Sequence, residues 1–104
     1  MLEISTAKVA RVIALTRENG PDDPHLHDYI GSFNADEKAN LVALMWVGRE
    51  SFEPEQFEEA KRQAYQEATA PTEEYLSGIP EFAEFLEDGL AALGIDVMDA
   101  EGEL

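Results

Sequence analysis

The sequence contains no cysteine, which excludes disulfide bonds, thiolate zinc sites and cysteine nucleophiles together. It has no apolar run near the roughly 20 residues that a membrane helix needs. The N-terminal segment MLEISTAKVARVIAL lacks the basic-then-apolar order of a signal peptide, because Glu3 comes early and Lys8 and Arg11 interrupt the apolar residues. These absences predict a soluble, cytoplasmic protein that does not enter a membrane.

Basic residues are few and end early in the chain. The formal net charge is −16, with all 7 Lys and Arg residues before position 63 and 11 of the acidic residues in positions 63–104. Such a field repels phosphate backbones and anionic lipid, so direct binding to nucleic acid or to an acidic membrane is disfavoured. The charge allows a basic protein as partner, and a mimic of nucleic-acid charge is an alternative.

Apolar residues recur at helical spacing, and no segment alternates as a strand would. A chain of 104 residues with 44% apolar content has room for one domain. We therefore predict an all-α fold, a small irregular bundle of about four longer helices and one short helix without a sheet. The domain is expected over 1–94, followed by an acidic, flexible tail over 95–104. Helices are expected behind the caps Ser5 and Asp23, over 35–47, over 54–70 and from Pro80 onward, with a turn at 72–76.

The segment LVALMWV, residues 41–47, is apolar at every position. In a helix such a run covers the whole circumference, because the period is 3.6 residues. Either neighbouring helices wrap it, or one face around Trp46 stays open to a partner. The other predicted helices suffice to wrap it, so we predict a central helix with Trp46 buried. Gly48 is expected to stop this helix, with Arg49 beside its last carbonyl groups.

Four segments carry a family resemblance through their order and spacing. They are LEIS, KVARVIALTRE, DEKANLVALMWVGR and YLSGIPEFAEFLEDGLAALG, and together they cover about residues 2–94. The chain resembles a bacterial domain-of-unknown-function family of small, acidic, helical proteins. The resemblance implies a single helical domain, and it implies no activity and no catalytic residue.

The residues that could carry catalysis or bind a metal are poorly arranged. His25 and His27 are the two histidines, and residues two apart in a helix point to different sides, so they cannot share a metal there. The carboxylates fall mostly on polar helix faces, which lack the apolar surroundings of acid–base sites. No nucleophile motif such as G-x-S-x-G is present. We predict no cofactor, no metal and no catalysis, with a metal-assisted or carboxylate-based hydrolytic enzyme as the alternative.

Two surfaces are candidates for binding. One is an acidic group on the last helix, far in sequence from any cation, which serves either solubility or the docking of a basic protein. The other joins Trp46 to Arg49, a cation that can pair with a carboxylate or hold an anionic ligand. We predict a small acidic protein-interaction or regulatory module, and the sequence leaves its oligomeric state open. The acidic group consists of Glu81, Glu84, Glu87 and Asp88.

Overall fold

A computed structural model describes residues 2–67 and 71–95, so the tail predicted to be flexible lies almost wholly outside the described residues. Within these ranges the chain forms six α-helices and one 3₁₀ turn and contains no strand, which confirms the predicted all-α fold. The helices are α1 (Thr6–Asn19), α2 (Pro24–Gly31), α3 (Ala35–Gly48), α4 (Phe57–Gln66), α5 (Thr72–Ser77) and α6 (Phe82–Ala92).

The first two helices begin where their capping residues predict. The Ser5 side chain accepts a hydrogen bond from the Lys8 N–H at 3.2 Å, and the Asp23 side chain accepts one from the Leu26 N–H at 3.1 Å. Pro24 occupies the first position of α2, where its missing N–H costs no helical hydrogen bond. Each helix turns one apolar stripe inward, and the buried residues include Val9, Val12, Ile13, Leu26 and Ile30.

α3 begins at a complete capping box and forms the centre of the bundle. The Asn34 side chain accepts from the Glu37 N–H at 2.8 Å, while the Glu37 carboxylate accepts from the Asn34 N–H at 3.0 Å. The helix is buried at every position from Ala39 to Val47, and α4 and α6 make its most extensive contacts. The prediction of a buried Trp46 is confirmed, since its side chain is only 6% exposed.

α3 ends where the sequence predicts, but Gly48 is not the residue that terminates the helix. The Ser51 N–H donates to the Trp46 carbonyl at 2.9 Å, and the Glu50 N–H donates to the Val47 carbonyl at 3.0 Å. These bonds form a Schellman motif, and its left-handed position holds Glu50 (φ 67°) instead of glycine. Gly48 serves packing, because a methyl group there would overlap the backbone of α6.

The second half of the chain differs from the prediction at three points, and one of them is the last helix, which begins at Phe82 and not at Pro80. The helix expected from Pro54 starts with the 3₁₀ turn Pro54–Gln56 and continues as α4. The turn expected at 72–76 is instead the helix α5, which packs on α2 and buries Leu76. A helix of six residues is too short for its period to be read from sequence, and α5 has no side-chain cap to mark its start.

One hydrophobic cluster joins the six helices to Ile4, which precedes α1. Among the described residues, Asn40 is the buried polar side chain of this core. Its Oδ1 accepts from the Glu3 N–H at 2.7 Å, and its Nδ2 donates to the Asp36 carbonyl at 2.8 Å. Both ends of the amide are therefore satisfied, and the N-terminal segment is held against α3. No helix within the described ranges is long and apolar enough to cross a membrane.

Candidate functional site

An open groove with a volume of about 340 Å³ lies between α3, α4 and α5. The floor comes from one stripe of α3, and the walls come from the end of α4 and the start of α5. The volume is near the lower end of the range for ligand sites, roughly 300–1,000 Å³. The floor residues are Ala35, Lys38, Ala39, Val42 and Trp46, and the wall residues are Ala64, Tyr65, Glu67, Thr72 and Tyr75.

The groove exists because α3 is covered unequally. α6 approaches Leu44 so closely that a methyl group built at Gly89 would lie 3.0 Å from the Leu44 Cδ1 atom and overlap the Leu44 carbonyl oxygen. Residues two positions apart lie on different sides of a helix, so Val42 and Trp46 point away from this contact. On their side the small side chains of Ala35 and Ala39 leave space open to solvent.

Trp46 and Tyr75 form one polar point in this apolar groove. The indole stacks on Phe52 with ring centroids 5.7 Å apart, and its Nε1–H donates to the Tyr75 hydroxyl at 3.0 Å. The Tyr75 oxygen therefore accepts a bond, while its own O–H has no acceptor among the described residues. A hydroxyl that accepts a hydrogen bond becomes a stronger donor. Tyr75 thus presents a polarised O–H group at the groove.

Tyr65 lies on the α4 side of the groove, and its hydroxyl is already engaged. It donates to Asp36 Oδ1, and this hydrogen bond is the main reason that the pKa of Tyr65 is raised above its ordinary value. Tyr65 is 50% exposed and Tyr75 is 37% exposed, and these are the exposed large apolar side chains of the described residues. Both line the groove. Exposed aromatic surface concentrated at one place is typical of a binding site.

Lys38 is the cation of the groove. The other partly buried lysines, Lys8 and Lys61, each form an ion pair with a carboxylate. Lys38 has no carboxylate within 4.0 Å among the described residues, although the chain carries 23 acidic residues. Glu67 lies on the same rim without contacting it. Among the described residues, neither the Lys38 ammonium group nor the Glu67 carboxylate at the groove has an ion-pair partner.

The predicted acidic group lies on α6, apart from the groove. Glu84 and Asp88 are exposed, and Glu81 caps α6 in the left-handed conformation (φ 63°). Glu87 pairs with Arg17 of α1, whose Nη1 donates to the Glu87 carboxylate at 2.9 Å. A cation that is distant in sequence therefore reaches this face through the packing of α1 against α6. None of the four acidic residues lines the groove.

Arg49 and the histidines also lie outside the groove. The Arg49 Nε donates to the Ser51 hydroxyl at 3.1 Å, just past the end of α3. His25 is exposed, while the His27 Nε2 lies 2.9 Å from the Pro21 carbonyl oxygen. Across residues 2–67 and 71–95, no group of three or more His, Asp or Glu residues is placed to hold a metal ion.

Sequence reasoning identified Trp46 but missed Lys38, Tyr65 and Tyr75. The sequence could have placed Lys38 beside Trp46, because Lys38 lies four residues before Val42 and eight before Trp46 and so shares their side of the helix. The two tyrosines carried no comparable signal. Tertiary packing of α4 and α5 brings them to α3.

The fold and the groove define a small all-α protein with an aromatic-lined site on its central helix. The chain belongs to the family described as "Protein of unknown function (DUF3775)", whose model matches residues 23–95. This range contains every element of the groove. The match confirms the predicted resemblance to a domain-of-unknown-function family and brings no activity with it. No curated protein and no solved structure matches the chain.

Proposed function

We propose that the protein is an interaction module that binds a basic protein by holding one of its apolar side chains in the α3 groove. The observation that carries this proposal is the groove itself, where two exposed tyrosines and the edge of Trp46 surround an apolar floor. Aromatic residues around a small pocket are typical of the few residues that dominate binding energy at protein interfaces. Such a pocket receives a single anchoring side chain.

The charge of the chain indicates the character of the partner. A net charge of −16 attracts basic surfaces, raises the rate of encounter and makes association weaken with salt. The acidic group on α6 adds to this field from outside the groove. The groove then supplies the short-range specificity that a diffuse field lacks. A cytoplasmic location, favoured by the absence of cysteine, is part of the same proposal.

The proposal can be tested with a pool of tryptophan-free octapeptides that contain Lys, Arg, Gly and Ser with one Leu or Phe at any position. The immobilised protein is expected to retain this pool more strongly than a pool of the same basic peptides without Leu or Phe, and to release it as salt rises. A matched pool with Asp and Glu in place of Lys and Arg is the charge control. Mass spectrometry of the retained peptides identifies the preferred residues.

Two groove-blocking variants give the site-specific control. Ala39→Leu adds a side chain to the groove floor, and Ala35→Phe does so from an exposed position that does not strain the core. Both are expected to reduce retention by about tenfold or more. Ala91→Leu adds an equal side chain at an exposed position of α6 and is expected to change nothing.

The opposite result would locate binding on α6. In that case a variant with Glu81, Glu84, Glu87 and Asp88 changed to their amides would abolish retention, while the groove-blocking variants would bind normally. If neither pool is retained by the wild-type protein, the interaction proposal itself is wrong.

A further inference from the structure

We infer that the anchor is the last residue of the partner chain, with its apolar side chain in the groove and its terminal carboxylate bound by Lys38 and Tyr75. This inference rests on the proposed function and names the chemistry that the groove selects. A C-terminal apolar residue combines an apolar group and one negative charge within a single residue. The groove combines an apolar floor with two available hydrogen-bond donors on its rim.

Both donors are unused within the described part of the chain. The Tyr75 oxygen accepts the indole N–H at 3.0 Å and keeps its own O–H proton free to donate. Among the described residues the Lys38 ammonium group has no carboxylate partner, whereas the partly buried Lys8 and Lys61 have theirs. Donors left without acceptors beside an apolar surface indicate an acceptor that arrives with the ligand, and hydrogen bonds to a charged acceptor are the stronger kind.

The charge of the groove limits the anion to a single negative charge. Of the described residues that line the groove, Lys38 is the one cation, and Glu67 lies on the same rim. A dianion such as a phosphate group would be held by one ammonium group and repelled by Glu67 and by the net charge of −16. A terminal carboxylate carries one charge, and Lys38 can neutralise it.

Glu67 gives the ligand a direction. Its carboxylate is exposed and has no cation partner among the described residues, so it can pair with a basic residue that precedes the apolar terminus. The expected ligand is therefore a chain end in which Lys or Arg lies shortly before a final Leu or Phe. This agrees with the basic partner that the charge of the whole chain favours.

The test compares the peptide Gly-Lys-Arg-Gly-Leu as the free acid with the same peptide as the C-terminal amide. Isothermal titration is expected to show the acid binding about tenfold more tightly than the amide, since only the acid forms charged hydrogen bonds to the two donors. Lys38→Gln and Tyr75→Phe are expected to reduce this ratio towards one, because each removes a donor to the terminal carboxylate. Circular dichroism spectra and thermal melts check that each variant is folded. Arg11→Gln removes an exposed cation of α1 and is expected to preserve the ratio.

Each other outcome has a distinct meaning. Equal binding of acid and amide, abolished by Ala39→Leu, would overturn the inference about the terminus and leave the proposed function standing. A ratio that persists in Lys38→Gln and Tyr75→Phe would overturn it as well. If hexanoate binds as tightly as the free-acid peptide, the groove recognises small carboxylic acids, and the peptide terminus is the wrong occupant. If neither peptide binds at all, both the inference and the proposed function fail.

Discussion

Small residues lie on two sides of α3, but one side is packed closely against a helix and the other side forms an open groove. Towards α6, Gly48 and Gly89 let two helix backbones approach until no methyl group fits between them. Towards α4 and α5, Ala35 and Ala39 line the groove floor, and no large side chain in the described part of the chain fills the gap. The small residues have opposite consequences, because one side has a partner helix at contact distance and the other does not.

This difference shows how an apolar run can serve the core and a binding site together. Leu41, Leu44 and Met45 are completely buried, whereas Ala39, Val42 and Trp46 keep a small exposed area that lines the groove. The two sets of residues lie on different sides of α3, so a substitution on one side leaves the other side largely intact. The following variants use that separation.

The largest effect is expected on the groove side, at Trp46. Trp46→Ala removes the stacking on Phe52 and the hydrogen bond to Tyr75, and should lower the free energy of unfolding by about 3–5 kcal/mol. Trp46→Phe keeps most of the ring contact and should cost far less. Urea denaturation followed by circular dichroism measures both. A loss below about 1 kcal/mol for Trp46→Ala would show that the groove side adds little to the core.

On the α6 side, Gly89→Ala should cost about 2–3 kcal/mol, because the added methyl group overlaps backbone that must shift. The control is Gly78→Ala, whose methyl group would lie 3.6 Å from the Glu74 carbonyl oxygen, an ordinary contact. That control should change stability by well under 1 kcal/mol. Equal effects at Gly89 and Gly78 in the same denaturation assay would contradict the close approach of α3 and α6.

These glycines also show which features of the fold can be predicted from the sequence and which cannot. Periodicity and caps predicted the all-α fold, the start of α3 and the burial of Trp46, because those features depend on neighbours within four residues. The role of Gly48 depends on α6, more than 30 residues away, so local rules assigned it to the helix end instead. Tyr65 and Tyr75 reach the groove by the same kind of long-range packing, and α5 is too short to show a period.

A substitution at the end of α3 is expected to have a smaller effect, and to increase stability. α6 ends in a Schellman motif with Gly94 (φ 80°), whereas the corresponding motif of α3 holds Glu50 (φ 67°). Glu50→Gly should therefore raise the free energy of unfolding by up to about 1 kcal/mol, since glycine adopts this conformation without strain. A thermal melt measures the change. Destabilisation would indicate that the Glu50 side chain contributes more than its backbone costs.

The smallest expected effect concerns the pH dependence of stability. The hydrogen bond from Lys8 is the main cause that lowers the pKa of Glu37 below its ordinary value of 4.5. The folded state then releases this proton more readily than the unfolded state, so the stabilisation is present above pH 4.5 and is lost as the pH falls through the folded pKa. Glu37→Gln keeps a capping side chain and should flatten the acid limb of stability against pH. An unchanged acid limb would show that Glu37 does not contribute to the pH dependence of stability.

The most direct test of the groove as the docking site uses the indole N–H of Trp46, the single tryptophan of the chain. Its Nε1–H bonds to Tyr75 at the groove, so it gives one isolated signal in a ¹⁵N–¹H nuclear magnetic resonance spectrum. Titration with the free-acid peptide Gly-Lys-Arg-Gly-Leu should shift this signal and the amide signals of Ala39 and Val42, and should leave Asp88 on α6 nearly unmoved. If the Asp88 region shifts while the indole signal stays in place, the peptide binds the acidic face of α6 and the groove is not the docking site.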